Sequence, residues 1–335
     1  MQLRPADEVV KIHPHPSASV TVSKRGLISS PAGYPETMAR APVAGSLRYA
    51  AITAAKNEAE NLPRLAVCLA AQTVTPSEWV IVDDGSTDGT SELAVGLGEQ
   101  HPWVRVISLA TEGEPARGGP VVRAFHEGLT ALQAEYDVIV KLDADVSMDE
   151  RYFEQLLDIF RRDPSLGMAS GSPYELEDGE WTQRHVTASH VVGPARAYRR
   201  ECLESMLPLE ERMGWDGLDE VKANVHGWST RSVPELPFYH HRIQGKRDGA
   251  RRRHWMNLGA SAHYMGYRPS YVVFRAAYRG LKEPSALAMV WGWASAALRR
   301  ESQYPDVRVR ERLRARQTLR NLPVRAREAL GRRQT

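Results

Sequence analysis

From Leu47 to about residue 162 the chain alternates short apolar runs with amphipathic stretches. Tyr49 to Thr53 (YAAIT) has the apolar density of a buried strand, and Glu58 to Gln72 then sets Leu62, Leu65, Ala66 and Leu69 at helical spacing. Glu78 to Val82 predicts a second strand, Thr87 to Gly98 a second helix, and Trp103 to Leu109 a third strand. Pro120 opens a helix reaching about Ala134, with proline in the first turn, where it is best tolerated. Tyr136 to Leu142 is almost unbroken apolar sequence, as in a strand covered on both faces. Asp143 to Asp149 predicts a loop and Glu150 to Arg161 a helix. Strands separated by single helices call for a mostly parallel sheet with right-handed crossovers.

The remaining chain is less regular. Residues 1–45, rich in Pro, Ser and Ala and without lasting periodicity, predict a mostly disordered leader. Past Gly167 come a short strand, a charged loop around Glu175 to Glu180, the segments GPARAYRRECLESM and GWDGLDEVKANVHGW, a strand pair near Arg231 to Tyr239, and HHR. From about Ala250 the pattern is helical only. The expected organisation is a leader over 1–45, an α/β body over 46–245, and a helical, arginine-rich region over 246–335.

Composition narrows the classes. With 335 residues, 42% hydrophobic and 25% charged, the chain is long enough for a core without staples. Cys68 and Cys202 both fall in helical segments and read as buried filler in a reducing compartment. No run reaches the roughly 18–20 apolar residues that span a bilayer. The N-terminal sequence carries charge and proline where a signal peptide needs an apolar core, so the cytoplasm is the expected compartment. The net charge of +3 conceals an asymmetry: from Arg299 to Thr335 there are twelve arginines against four acids. An apolar segment, Ser285 to Leu298, with Trp291 and Trp293, directly precedes them. The combination favours peripheral association of the C-terminal tail with an anionic membrane surface, at the inner face of the plasma membrane, over a merely solvated face. Nothing resembles a nucleic-acid platform, and no nucleic-acid partner is expected.

Ligands of open parallel sheets bind beyond the carboxyl ends of the strands. Three polar clusters fall there: Thr53 to Asn61, Asp83-Asp84-Gly85-Ser86, and Asp143-Ala144-Asp145. The second also reads as a plain turn with capping residues. In the third, two carboxylates one residue apart repel each other unless a cation neutralises them. Such oxygen donors suit Mg²⁺ or Mn²⁺, which would clamp a diphosphate. No GxxxxGK[ST] motif is present, which excludes a P-loop NTPase.

ITAAKNEAENL, VIVDDGSTDGT, RGGPVVRAFHEGL and KLDADVSM stand in the order seen in family 2 of the nucleotide-sugar glycosyltransferases, and the chain resembles that family over about Tyr49 to Arg242. HHR and the arginine-rich helices are similar to bacterial members that build cell-surface polysaccharides. The resemblance implies a GT-A (Rossmann-like) fold, a nucleoside-diphosphate sugar as donor, a polysaccharide or lipid-linked glycan as acceptor, and inverting, Mn²⁺- or Mg²⁺-dependent chemistry. By position it implies that Thr53, Ala54 and Glu58 line the nucleotide pocket, and that Asp83 and Asp84 contact base and ribose in an order left open. Arg117, with Gly118-Gly119, lies near the sugar or diphosphate. Asp143 and Asp145 form the metal and ribose motif, and His240 or His241 completes the metal shell. GWDGLDE resembles the acceptor-side acidic motif with its order changed, which leaves the base open between Asp219 and Glu220. Two alternatives stand beside this reading: a sugar-nucleotide nucleotidyltransferase, whose glycine-rich loop is missing from TAAKNEAEN, and a non-catalytic glycan-binding protein, which intact acids disfavour.

Overall fold

A computed structural model describes residues 10–15, 18–22, 46–109, 118–177, 179–184, 186, 189–241, 251–281 and 283–318. In chain order the elements are β1 (Val10–His15), β2 (Ala18–Val22), β3 (Tyr49–Ala55), α1 (Leu62–Ala70), β4 (Glu78–Asp83), α2 (Thr90–Gln100), β5 (Val104–Ser108), α3 (Gly119–Ala131), β6 (Val138–Leu142), β7 (Val146–Met148), α4 (Tyr152–Arg162), β8 (Leu166–Glu177), β9 (Glu180–Gln183), β10 (Ala195–Arg199), α5 (Arg200–Glu204), α6 (Trp215–Val225) and β11 (Ser229–His240). Helices α7 (Arg251–Tyr264) and α8 (Pro269–Gly280), a 3₁₀ turn (Pro284–Leu287), α9 (Ala288–Leu298) and α10 (Val307–Arg316) follow.

The main sheet runs β5-β4-β3-β6-β10-β8-β11-β7, with β9 paired to β8. Strands β5, β4, β3 and β6 are mutually parallel. Strand β10 is antiparallel to β6 and to β8, while β11 is parallel to β8. The carboxyl ends of β3, β4, β6 and β11 therefore point to one edge, and the functional site forms there. Strand β7 closes the sheet by antiparallel pairing with β11, placing Val146 opposite His240. This is the mixed α/β architecture expected from the sequence, a GT-A-like sheet between two helical layers.

Both faces of the sheet are covered, which is why its strands carry no polar alternation. Along β3, Tyr49, Ala51 and Ala55 enter the core under α1, α2 and α4 with Trp79, Phe153 and Phe160. Ala50 and Ile52 enter the opposite core with Val82, Phe125, Tyr198 and Trp215.

Three elements depart from expectation. Val146–Met148 is a strand inside the expected loop, too short to show a period between Asp145 and Asp149. Instead of a strand pair near Arg231 to Tyr239 there is one long strand, β11. Its prolines 234 and 237 are absorbed by a register shift between Val233 and Pro237 rather than by a reversal. Within the expected disordered leader, β1 and β2 form an antiparallel ladder pairing Val10 with Val22 and Ile12 with Val20, a short period-two pattern overlooked amid Pro and Ser. The other residues of 1–45 lie outside the described residues.

After Arg251 the described chain is helical. Helices α7 and α9 pack backbone to backbone: a Cβ on Gly259 would lie 2.0 Å from the Met289 carbonyl oxygen, and one on Gly292 would lie 2.0 Å from that of Met256. Helix α10 buries Val309 and Leu313 against Leu218 and Val221 of α6. Several of its arginines bond inward. Arg314 donates to the Gly266 carbonyl, Arg310 to Gln303 and Arg316 to Asn224. Among the described residues no helix is long and apolar enough to cross a membrane. Gly292→Ala should therefore force α7 and α9 apart and lower stability by about 1–3 kcal/mol. Gly96→Ala, in the interior of α2 with no atom closer than 3.9 Å to the added methyl, should raise stability by about 0.4–1 kcal/mol. Thermal and denaturant unfolding of the two variants checks both signs.

Candidate active site

The first cluster divides into scaffold and surface. Thr53 is fully buried and its hydroxyl accepts a hydrogen bond from the Trp79 indole at 2.9 Å. Its side chain faces the core that holds Trp79, on the same side of β3 as Ala51 and Ala55. Ala54 packs at the edge of the opposite core, towards the α3 side. Glu58 is buried, with its amide donating to Thr90 and its carboxylate accepting from Asn61. Asn57 adopts a left-handed backbone (φ 57°), which asparagine tolerates better than most residues. Its amide donates to Ser86 and its side-chain oxygen accepts from the Thr87 amide, fastening the two loops together.

The neighbours Asp83 and Asp84 have different surroundings. Asp83 accepts from the Ser86 amide and hydroxyl with one oxygen and from the Ser91 hydroxyl with the other. It shapes the turn and the start of α2. Asp84 lies between two cations, with Lys56 Nζ at 3.7 Å and Arg123 Nη2 at 3.5 Å. Arg117 lies outside the described residues. Gly118 (φ 87°) sits so close to the backbone of Arg212 and Met213 that a Cβ would meet it at 2.9 Å, so only glycine lets α3 begin against the segment leading into α6.

At the end of β6, Asp143 and Asp145 diverge. Asp143 is half-buried and accepts a hydrogen bond from buried Lys141, whose ammonium also donates to the Gly193 carbonyl and lies over the Trp215 ring. Desolvation holds the Asp143 carboxyl above its ordinary range despite Lys141. Asp145 is buried 3.3 Å from His240 Nε2. Burial disfavours the His240 cation, but the hydrogen bond and charge of Asp145 hold its pKa above the ordinary value. The second ring nitrogen of His240 is buried without a hydrogen-bond partner, 3.9 Å from Glu175. His241 turns the other way. Its ring bonds the Ser147 hydroxyl at 2.8 Å and packs edge-on against Trp181. Burial, with Arg64 nearby, pushes its pKa down to about 4. On that side a polar cavity of about 390 Å³ is lined by Asn57, Glu60, Asn61, Arg64, Asp88 and His241.

Among the described residues no three His, Cys, Asp or Glu side chains converge as a complete metal cage. Mg²⁺ and Mn²⁺ do not need one: they are commonly held by one or two carboxylates together with substrate phosphates. Asp145 and His240 fit such a partial site: the ring lies between two acids, with Nε2 toward Asp145 and the unbonded Nδ1 toward Glu175. His241 does not join it, because it is committed to Ser147.

The acceptor-side motif is organised by a buried arginine. Arg196 on β10 is fully buried and stacks 5.4 Å from the Trp215 ring. Its Nη1 donates to Asp219 at 2.5 Å and to the Asp216 carbonyl at 2.9 Å, and its Nη2 donates to Glu220 at 3.2 Å and to the Val191 carbonyl. Tyr198 donates to the other Asp219 oxygen at 2.7 Å. Burial pushes the Asp219 carboxyl up to about 6 against the pull of Arg196. Glu220 also accepts from the Val191 amide and lies 2.8 Å from His190 Nδ1. Both carboxylates expected as bases are thus inside a closed network facing the core. Asp216, three residues earlier, is only partly buried and lies in the first turn of α6, where its carboxylate accepts a hydrogen bond from the next residue's amide. The sequence reading passed over Asp216. Position in the helix separates them: Asp216 lies in the first turn of α6 and is only partly buried, while Asp219 and Glu220, one turn deeper, are buried with Leu218 and Ala223.

The family model described as "Glycosyl transferase family 2" matches residues 50–226. The chain is similar to the poly-β-1,6-N-acetyl-D-glucosamine synthase of Staphylococcus aureus (strain COL), with 29% identity over 122 residues, covering 36% of this chain and 27% of that protein. An uncharacterized glycosyltransferase of Nostoc sp. is 27% identical over 188 residues, covering 49% of this chain and 54% of its own length. The chain thus spans about a quarter to a half of the curated relatives it matches. Among solved structures, a mannosyltransferase of Pyrobaculum calidifontis in complex with GDP-Man and Mn²⁺ superposes with a TM-score of 0.51 at 20% identity, covering 85% of this chain and 80% of that one. S. aureus TarS 1–349 in complex with UDP-GlcNAc gives 0.50 at 17% identity, covering 65% and 66%. These structural likenesses concern the fold.

Arg196→Met should leave two carboxylates buried without their counter-charge. Breaking a buried ion pair from one side costs about 3–5 kcal/mol. Denaturant unfolding should show a loss of that size, whereas Arg200→Met, which removes an exposed pair with Glu204, should cost under about 1 kcal/mol.

Proposed function

The chain belongs to glycosyl transferase family 2, and from that membership we propose that it moves a sugar from a nucleoside-diphosphate sugar to a glycan hydroxyl, with inversion at the anomeric carbon. The observation that carries this reading is the buried Asp145–His240 pair at the edge where β3, β4, β6 and β11 end, with one imidazole nitrogen left unbonded. The donors bound in the two solved relatives, GDP-Man and UDP-GlcNAc, support the choice of donor class.

In this reading Asp84, poised between Lys56 and Arg123, receives the ribose and base, while Ala54 and Glu58 form the adjoining wall. Asp83 keeps the turn in shape. Asp145 and His240 hold Mn²⁺ or Mg²⁺, with Asp143 kept close by Lys141. When bound, such a cation neutralises charge on the departing diphosphate. Asp216 is the base: at the start of α6 its carboxylate is partly exposed, so it takes the proton of the acceptor hydroxyl as that oxygen bonds to the anomeric carbon and the bond to the diphosphate breaks. Asp219 and Glu220 act as positioning residues through Arg196. Trp215, buried over Arg196 and Lys141, fixes the start of α6. The C-terminal helices α7 to α10, packed on the body where α10 meets α6, bring the enzyme to an anionic membrane surface, suited to a lipid-linked or growing polysaccharide acceptor. The support is the apolar run before Arg299 and the arginine excess after it.

Two measurements test this. In thermal-shift titrations with nucleoside diphosphate and Mn²⁺, the wild type should be stabilised by the metal, and Asp145→Asn should abolish that increment. Full metal-dependent stabilisation of the variant would remove Asp145 from the ligand set. In transfer assays Asp216→Asn should lower kcat by about 10²–10⁴-fold with donor affinity changed only a few-fold. Asp219→Asn should act chiefly on stability. If Asp216→Asn transfers normally and Asp219→Asn does not, the base is Asp219.

A further inference from the structure

Twelve large apolar side chains are exposed among the described residues, and seven of them sit on one helical hairpin. Val273, Phe274 and Tyr278 lie on α8, Leu281 follows it, Leu287 ends the 3₁₀ turn, and Trp291 and Leu298 lie on α9. Three are exposed to an extent rare for their type: Leu281 at 85%, Leu298 at 80% and Trp291 at 61%. The spacings 274–278, 287–291 and 291–298 put the exposed groups on one side of each helix. An exposed apolar concentration of this kind marks a docking surface rather than scattered surface residues.

The outward face is not spare core. Met289, Gly292 and Ala296 already bury the inner side of α9, and the contacts of Gly259 and Gly292 pin it against α7. No ionisable residue occurs from Pro284 to Leu298. Cations flank this stretch. From Arg268 to Arg300 the sequence carries Arg268, Arg275, Arg279, Lys282, Arg299 and Arg300 against the single acid Glu283. Arg300 holds a left-handed backbone (φ 56°) just past the end of α9, a position that favours glycine. The chain accepts that strain and keeps two consecutive arginines at the rim of the apolar face. Of the flanking cations, Arg268 donates to the Arg314 carbonyl and Arg299 lies 4.0 Å from Glu301, and three arginines of α10 are likewise spent on internal hydrogen bonds.

We infer that the α8–α9 hairpin is the element that docks on an anionic lipid bilayer, with Leu281, Leu287, Trp291 and Leu298 entering the headgroup region and the flanking arginines meeting lipid phosphates. The inference rests on the membrane-surface reading above and relocates its contact from the arginine-rich tail to this hairpin. Apolar insertion flanked by basic residues is the chemistry of interfacial helices, and its electrostatic share falls with salt.

The test uses the full chain in flotation with phosphatidylcholine vesicles, with and without phosphatidylglycerol, at low and high salt. Wild type should float with the anionic vesicles and lose much of that binding at high salt. The triple variant Leu281→Ser, Trp291→Ser, Leu298→Ser should bind at least about tenfold more weakly, with nucleoside-diphosphate stabilisation unchanged. The pair Arg299→Glu, Arg300→Glu should weaken binding to anionic vesicles while leaving the apolar face intact, and it decides the matter should the triple variant fold poorly. If wild type floats and both variants float equally well, the hairpin is not the contact and the membrane reading survives. If wild type does not float, both readings fall. A wild-type dimer that the triple variant converts to monomer, without vesicle binding, would make the face an interface between copies of this chain.

Discussion

One buried guanidinium holds together the corner of this molecule where β10 meets α6. Arg196 lies where β10 crosses from the parallel half of the sheet to the mixed half, opposite Lys141 in the register of β6. It gathers Asp219, Glu220 and the carbonyls of Asp216 and Val191 into one network. A charge so deep is tolerable only with its partners in place, and the partners need it equally. The start of α6, the chain near Val191 and the end of β6 are thereby located relative to one another. Lys141 repeats the device one strand over, where its ammonium ties Asp143 to Gly193.

The acidic residues along this edge divide their labour in close pairs. Asp83 spends its oxygens on Ser86 and Ser91, while Asp84 lies between the cations of Lys56 and Arg123. Asp219 and Glu220 are consumed internally, while Asp216 stands at the helix start. His240 turns to Asp145 and His241 to Ser147. In each pair one member sets the geometry that the other presents. Sequence proximity therefore identifies the cluster but not the actor: one residue along a strand end turns the side chain to the other face, and along α6 the depth of burial, greater at Asp219 than at Asp216, separates acids that share a face.

This is also how legibility was distributed. The parallel half of the sheet was readable because its strands are apolar on both faces and its helices show clear periodicity: Tyr49, Glu78 and Val138 open strands close to where the pattern predicts. Short or broken elements were not. Val146 to Met148 offers three residues, and the prolines of β11 imitate a turn that the register shift makes unnecessary. Clusters at the carboxyl ends were visible as motifs, but not the direction of each side chain: strand alternation turns Thr53 toward Trp79 whatever its place in the motif. The inward bonding of the α10 arginines could not be foreseen from composition, since charge counts say nothing about which cations have partners.

The joint between α7 and α9 has an evolutionary side. Because Gly259 and Gly292 bring main chain against main chain, the angle between these helices is set by atoms that every residue shares, not by the shape of particular side chains. Neither glycine can be replaced without displacing its partner helix, so a change at either position is felt at both. The outer face of α9 carries no such obligation. Its residues are free to be exchanged for more or less apolar ones while the scaffold beneath keeps its form, and the catalytic edge, built on other elements, does not register the change. The surface that α9 presents can in this way change its chemistry while the joint beneath it stays the same.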